Sequence, residues 1–310
     1  MKQTIFTLLI LSVITLASCR KDRVELTAKQ NDSVQIHNYI TANNITGMLK
    51  DTVGGDTSGM YYKILSPGSG TPYDYPSEIY FVYTLRSLDG SYIASDTIAN
   101  HVYAYVGHVA SLGFPLPPTT GSLQSAIRNE LKYPGASMRL LIPSHLAYGI
   151  NGHTTGSSQV ANTHLNGNAS LDMYVHAIGD IAKYDDQTIQ TYMRDSSLTG
   201  YTKTASGLYY KILVPGTGTD PITINSTVTC TYTGQLLNAT IFDAAYNGTL
   251  TASLDLASLT PGVAEGLQYA VAGTKISFLV PSLLGYGSGA NVGPAYSCLR
   301  FTFQVISVVP

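Results

Sequence analysis

The chain has 310 residues and a mass of 33.1 kDa, long enough for two domains at about 150 residues each. Its 29 Gly and 14 Pro stay well under the roughly 25–30% that marks low-complexity disorder, so the chain should fold. Charged residues are 12%, about half the usual quarter, and 17 Lys and Arg against 19 Asp and Glu leave a net charge of −2. With no basic excess to neutralise phosphates, nucleic acid is not expected as a partner. Trp is absent and 23 Tyr outnumber 7 Phe, which points to cores and pockets built with Tyr. Three Cys are too few for a disulfide scaffold or for most structural zinc sites.

Lys2 precedes an apolar run, Ile5 to Leu16, too short to cross about 30 Å of hydrocarbon. It reads as a signal peptide over residues 1–18. The run closes in Leu16-Ala17-Ser18-Cys19, which resembles the lipobox of bacterial lipoproteins and implies lipidation of Cys19. Arg20 follows in place of an Asp that would retain the protein at the inner membrane. The expected location is therefore lipid-anchored in the cell envelope, at the outer membrane and facing the periplasm.

The rest of the chain repeats with a period near 150 residues. Asp32 to Ile40 aligns with Asp185 to Met193 at an offset of 153, each an amphipathic helix with apolar residues at i, i+3 and i+4 (Ile36, Tyr39, Ile40; Ile189, Tyr192, Met193). The leading Asp of each is expected to cap its own helix. A strand follows in both copies, Tyr61–Leu65 and Tyr209–Leu213, each running into Pro-Gly-x-Gly, then an alternating strand, Ile79–Tyr83 and Val228–Tyr232. Ile142–Gly149 matches Val280–Gly287, and the closing strand Leu171–Val175 matches Leu299–Phe303. The offset falls from 149 to 138 and then to 128, so the first copy carries two insertions of about ten residues, which belong in surface loops. One helical stretch per copy lies before the Tyr-Gly block, Gly121–Leu131 and Val263–Ala272. Each copy is thus an α+β unit, an antiparallel half-barrel wrapped around one short helix and preceded by another helix.

Between Gly207 and Val308 the residues resemble an FKBP-type peptidyl-prolyl cis/trans isomerase domain. Tyr232-Thr233-Gly234, Ile241-Phe242-Asp243-Ala244, Pro261 to Leu267, Leu284-Gly285-Tyr286-Gly287 and Leu299-x-Phe301 stand in family order. The resemblance implies a prolyl pocket of Tyr232, Phe242, Asp243, Tyr286 and Phe301, with the Thr260 N–H holding the ligand carbonyl. Val263 stands where the family has a Trp floor, and Leu254 is the expected stand-in for a second missing aromatic. Weak binding of FK506-like macrolides follows, and no cofactor is implied. An aromatic, water-poor cup with placed donors suits imide rotation, which needs no nucleophile. Asp243 is expected to be a buried carboxylate held by the Tyr232 hydroxyl.

The first copy resembles the family less. Tyr83 and Tyr148 remain, but Ile93, Ala94 and Met173 stand where Phe242, Asp243 and Phe301 do, and Asp96 comes two residues late. The reading is a degenerate domain kept for stability or spacing. The alternative is a peptide-binding module using Gly113 to Pro118 and the loop insertion. His101, His108, His145, His153, His164 and His176 show no metal-binding spacing, and Tyr286 to Asn291 lacks the Lys of a phosphate loop. Cys230 and Cys298 are the thiols left after Cys19, and the reading favours two buried free thiols.

The expected organisation is a signal peptide (1–18), an anchored segment with a short helix (19–49), a degenerate FKBP-like domain (50–181), a linker helix (182–204) and an isomerase domain (205–310). The expected function is prolyl isomerisation during folding of exported proteins, acting on unfolded or proline-containing polypeptides. The alternative is a non-catalytic periplasmic peptide-binding or chaperone lipoprotein.

Overall fold

The structure, a computed structural model, describes residues 26–53, 58–113, 115–117, 122–154, 163–245 and 251–310. The signal peptide and Cys19 lie outside the described residues, as do Phe114, Pro118 and Gly121. No helix among the described residues is long and apolar enough to cross a membrane.

Helix α1 (Ala28–Ala42) begins with a capping box: Thr27 Oγ1 accepts from Gln30 N, and Gln30 Oε1 accepts from Thr27 N. Ahead of the second copy, α3 (Ile181–Asp195) is capped by Asp180, which accepts from Lys183 N. The caps expected from Asp32 and Asp185 are therefore misplaced. Both side chains sit inside their helices and are buried, at 1% exposure each. They cap a different element. Asp32 Oδ2 accepts from the His145 backbone N–H at 3.2 Å and lies 2.6 Å from His145 Nδ1, at the 3₁₀ turn Ser144–Leu146. Asp185 Oδ2 accepts from Ser282 N at 2.8 Å and Ser282 Oγ at 2.7 Å, at the matching turn Ser282–Leu284. A buried carboxylate needs such donors, and a turn start offers free N–H groups, so each Asp pins its helix to its own sheet unit. Ile36 and Ile189, both fully buried, supply the apolar half of that contact.

The first sheet unites β1 (Leu49–Lys50), β2 (Tyr61–Ser66), β3 (Glu78–Ser87), β4 (Ile93–Ala94), β5 (His101–Tyr105), β6 (Ser137–Ile142) and β9 (Leu171–Ala177). Its order is β1-β2-β6-β9-β3-β4, with β5 also on β3, and every pair is antiparallel. The second repeats this with β10 (Thr202–Lys203), β11 (Tyr209–Val214), β12 (Thr227–Leu236), β13 (Ile241–Ala245), β14 (Ala252–Asp255), β15 (Lys275–Val280) and β16 (Leu299–Val309), in the order β10-β11-β15-β16-β12-β13 with β14 on β12. Its first strand lies inside the stretch read as linker, so the segment after α3 opens the second sheet. The insertion after Tyr148 carries a small hairpin, β7 (His153–Thr154) with β8 (His164–Leu165).

Each sheet covers one helix. In the first unit α2 (Ser122–Ala126) continues as a π-helical turn, Ile127–Leu131, and Leu123, Ala126, Ile127 and Leu131 are buried. In the second, α4 (Pro261–Leu267) starts two residues before the expected stretch and ends five before it, with Pro261 at its first position, where a missing N–H costs nothing. Gly266 lets α4 close on the sheet, because a Cβ there would lie 2.7 Å from the Phe278 ring.

The two units touch. Tyr80 donates to the Tyr296 carbonyl at 3.3 Å and lies 3.1 Å from His101 Nδ1, and Tyr103 meets the Tyr296 ring edge-on. Asp96, the late carboxylate of the first copy, accepts from Asn238 Nδ2 of the second at 2.8 Å. Burial pulls the His101 pKa down to about 4. Cys230 and Cys298 are free and buried in different clusters.

Candidate active site in the second domain

The candidate site is set by the register around Gly234. This residue on β12 pairs with Phe301 of β16 on one side and Asp243 of β13 on the other, next to a bulge. Strand pairing thus brings Phe242, Asp243 and Phe301 together at one point of the sheet. Phe242 and Phe301 meet edge-to-face, with centroids 5.7 Å apart and planes at 84°. Tyr286 closes on Phe242 at 6.3 Å and 83°. Phe301 and Tyr232 each stack on the fully buried Phe303, at 5.9 and 5.2 Å. These contacts are the geometries in which ring edges and faces attract.

Gly234 was part of the family-like motif but had no role in the sequence reading. Its role is steric. A Cβ there would lie 2.7 Å from Phe301 Cε1 and 2.9 Å from Phe242 Cε2, so only a residue without a side chain lets both rings stand.

Tyr232 donates its hydroxyl to Asp243 Oδ2 at 2.6 Å, as expected. Asp243 itself is exposed, not buried, because β13 is the edge strand and turns this side chain outward. Its charge is therefore carried at little desolvation cost, while Tyr232 is half-buried. Burial, then the bond to Asp243, raises the Tyr232 pKa, so its hydroxyl stays a donor. Tyr286 is raised by burial and then by Asp243. Among the described residues its hydroxyl has no hydrogen-bond partner.

Thr260 is the N-cap of α4 with extended backbone (φ −60°, ψ 147°), so its N–H lies outside the helix's own ladder. Its buried Oγ1 has no partner among the described residues. Val263 is buried at 4% in the same cluster as Phe301 and Phe303. Leu254 of β14 packs on that cluster. Tyr232, Phe242, Val263, Tyr286 and Phe301 thus share one hydrophobic cluster, with Asp243 bonded to Tyr232 and Thr260 at the start of the helix that carries Val263.

In the first unit the same register point is filled. Leu85 takes the place of Gly234, pairing with Met173 and Ala94, and both Leu85 and Met173 are buried. Ile93, at the Phe242 position, is exposed at 47%.

Residues 218–306 match the family described as FKBP-type peptidyl-prolyl cis-trans isomerase. An FKBP-type peptidyl-prolyl cis-trans isomerase FkpA of Buchnera aphidicola is 39% identical over 119 residues, 38% of this chain and 47% of that protein. The outer membrane protein MIP of Legionella longbeachae is 37% identical over 117 residues, 37% of this chain and 49% of that protein. A crystal structure of FkpA from Escherichia coli aligns at a TM-score of 0.38 and 29% identity, covering 42% of this chain and 62% of that one. The match spans about half the length of those two curated relatives. Within the second domain, residues 218–306 therefore carry an FKBP-type peptidyl-prolyl cis-trans isomerase domain, in keeping with the motifs between Gly207 and Val308.

Proposed function

We propose that the second domain is a prolyl isomerase whose cup is Tyr232, Phe242, Asp243, Thr260, Val263, Tyr286 and Phe301, and that the first is a non-catalytic partner domain. The observation that carries this is the edge-on Phe242–Phe301 pair beside the Tyr232–Asp243 bond, inside the family-matched stretch. Rotation about an Xaa-Pro bond faces a barrier of about 18–20 kcal/mol from amide resonance. A cup that strips water from the imide carbonyl favours the twisted, less conjugated state. Phe242, Phe301 and Val263 supply the apolar walls for the prolyl ring. The Thr260 N–H and the Tyr286 hydroxyl hold flanking carbonyls, and Asp243 fixes the Tyr232 wall. No proton moves and no bond to the protein forms.

The proposed substrates are unfolded or proline-containing polypeptides, and the proposed setting is the cell envelope, with Cys19 as the lipid attachment. Support for the setting is the lipobox-like Leu16 to Cys19 and the similarity to a protein named an outer membrane protein. The test is a protease-coupled prolyl peptide assay on the full chain, wild type against Asp243→Asn. Asp243 is exposed, so stability should move by no more than about 0.5 kcal/mol, while kcat/KM falls several-fold. Unfolding of the second domain with full activity in the remaining folded fraction would make Asp243 structural.

A further inference from the structure

The first domain retains tyrosines at two of the matching positions, Tyr83 and Tyr148, and its own chain reaches one of them. Tyr148 stands where Tyr286 does in the second domain, and its hydroxyl donates to the Leu116 carbonyl at 2.8 Å. That carbonyl belongs to the Leu116-Pro117 peptide bond, an Xaa-Pro bond. Leu116 is exposed at only 3% and sits in the same core cluster as Tyr83, Tyr92, Leu85 and Met173, and Pro117 is buried beside it. The Leu116 N–H donates to the Gly113 carbonyl at 3.0 Å. His153 from the small hairpin packs edge-on against the Tyr148 ring at 5.1 Å. Burial raises the pKa of Tyr148 and, to about 12, of Tyr83, which keeps both hydroxyls as donors.

Surface loops seldom bury a Leu-Pro pair, because a loop's backbone groups need partners. Here the partner is the tyrosine at the position equivalent to Tyr286, whose own hydroxyl has no hydrogen-bond partner among the described residues.

We propose that the first domain is a binding site for Xaa-Pro peptide segments, occupied in the resting protein by its own Leu116-Pro117. The segment is an internal ligand, and an external proline-bearing chain gains the site only by displacing it. This goes beyond the isomerase reading and does not depend on turnover, because occupancy of each domain is read separately.

The probe is an Ala-Leu-Pro-Phe peptide carrying a photoreactive benzophenone, crosslinked to the full chain, with adducts mapped by mass spectrometry. Wild type should label the second domain and leave the first nearly unlabelled. Leu116→Gly combined with Pro117→Gly should raise labelling around Tyr83 and Tyr148 by about tenfold or more, the ratio that loss of one closing contact gives. Adding Tyr148→Phe to that variant should reverse the gain. Equal first-domain labelling in wild type and the double glycine variant overturns the proposal, whatever the second domain does.

A second measurement stands where the double variant fails to fold. In the otherwise wild-type chain, Tyr148→Phe should speed hydrogen exchange in peptides covering residues 113–117 about tenfold, with β6 unchanged. Unchanged exchange in that segment would mean that Tyr148 does not hold it, and would overturn the proposal.

Discussion

The two domains share a strand order and a buried Asp that pins the preceding helix, yet they spend the same register point on opposite ends. In the second, Gly234 leaves room for Phe242 and Phe301 to stand edge-on beside the exposed Asp243. In the first, Leu85 and Met173 fill that room with aliphatic packing, and Leu116 is buried in the same core cluster. The difference teaches that one strand position decides whether aromatic rings or aliphatic side chains meet there, and the fold accommodates either.

The largest expected effect comes from moving the first domain's solution into the second. Gly234→Leu places a side chain where a Cβ alone would lie 2.7 Å from Phe301 and 2.9 Å from Phe242. Displacing both rings should cost about 1–3 kcal/mol of stability and reduce prolyl isomerisation to the uncatalysed rate. A melting curve and a peptide assay on the same sample check both. Full activity in this variant would break the contrast at its root.

The seam between the domains should respond to acid. His101 is buried against Tyr80 and the Tyr296 backbone, with Tyr184 and Asp96 nearby, and burial lowers its pKa to about 4. An unfolded His binds its proton near pH 6.5, so between pH 6.5 and 4 the unfolded state holds more protons than the folded one. The stability from the neutral ring is therefore complete above pH 6.5 and lost as pH falls toward 4. The loss reaches about 3 kcal/mol. Unfolding free energies across that range should slope downward with acid, and His101→Gln should flatten the slope. An unchanged slope would remove His101 from the seam.

The smallest effect concerns the floor. Val263 offers less surface than a Trp, a shortfall on the order of 50 Å² of contact, or roughly 1 kcal/mol, so macrolide affinity should be about tenfold poorer than in a Trp-floored relative. Val263→Trp should recover part of it. Recovery stays incomplete because Val263 is already buried at 4% in a packed cluster. Wild-type binding as tight as in a Trp-floored relative would move Val263 out of the floor.

Much of this was legible in the chain. The 153-residue offset placed both docking helices, because Ile36 and Ile189 keep the helical period. The strand from Val228 to Tyr232 and its copy were legible from alternation, and the clustering of Tyr232, Phe242, Tyr286 and Phe301 from motif order. What escaped was whatever depends on partners far away in sequence. Asp32 and Asp185 looked like caps of their own helices, yet their donors are His145 and Ser282, more than ninety residues away. Asp243 looked buried between apolar neighbours, but an edge strand turns alternate residues to solvent. Gly234 and Leu85 carried no signal of their own, since their meaning is the distance to rings on two other strands. Gly113 to Pro118 read as part of an alternative peptide-binding module, and the burial of Leu116 and Pro117 had no signal in the sequence.

The central claim, that only the second domain catalyses, is tested most directly by cutting the chain between the exposed Gly179 and Asp180, so that each half keeps its docking helix. Residues 26–179 and 180–310 are assayed separately for Xaa-Pro isomerisation, each after its fold is checked by circular dichroism. The account predicts acceleration by 180–310 alone, with 26–179 at the uncatalysed rate. Comparable kcat/KM in the two folded halves would contradict it.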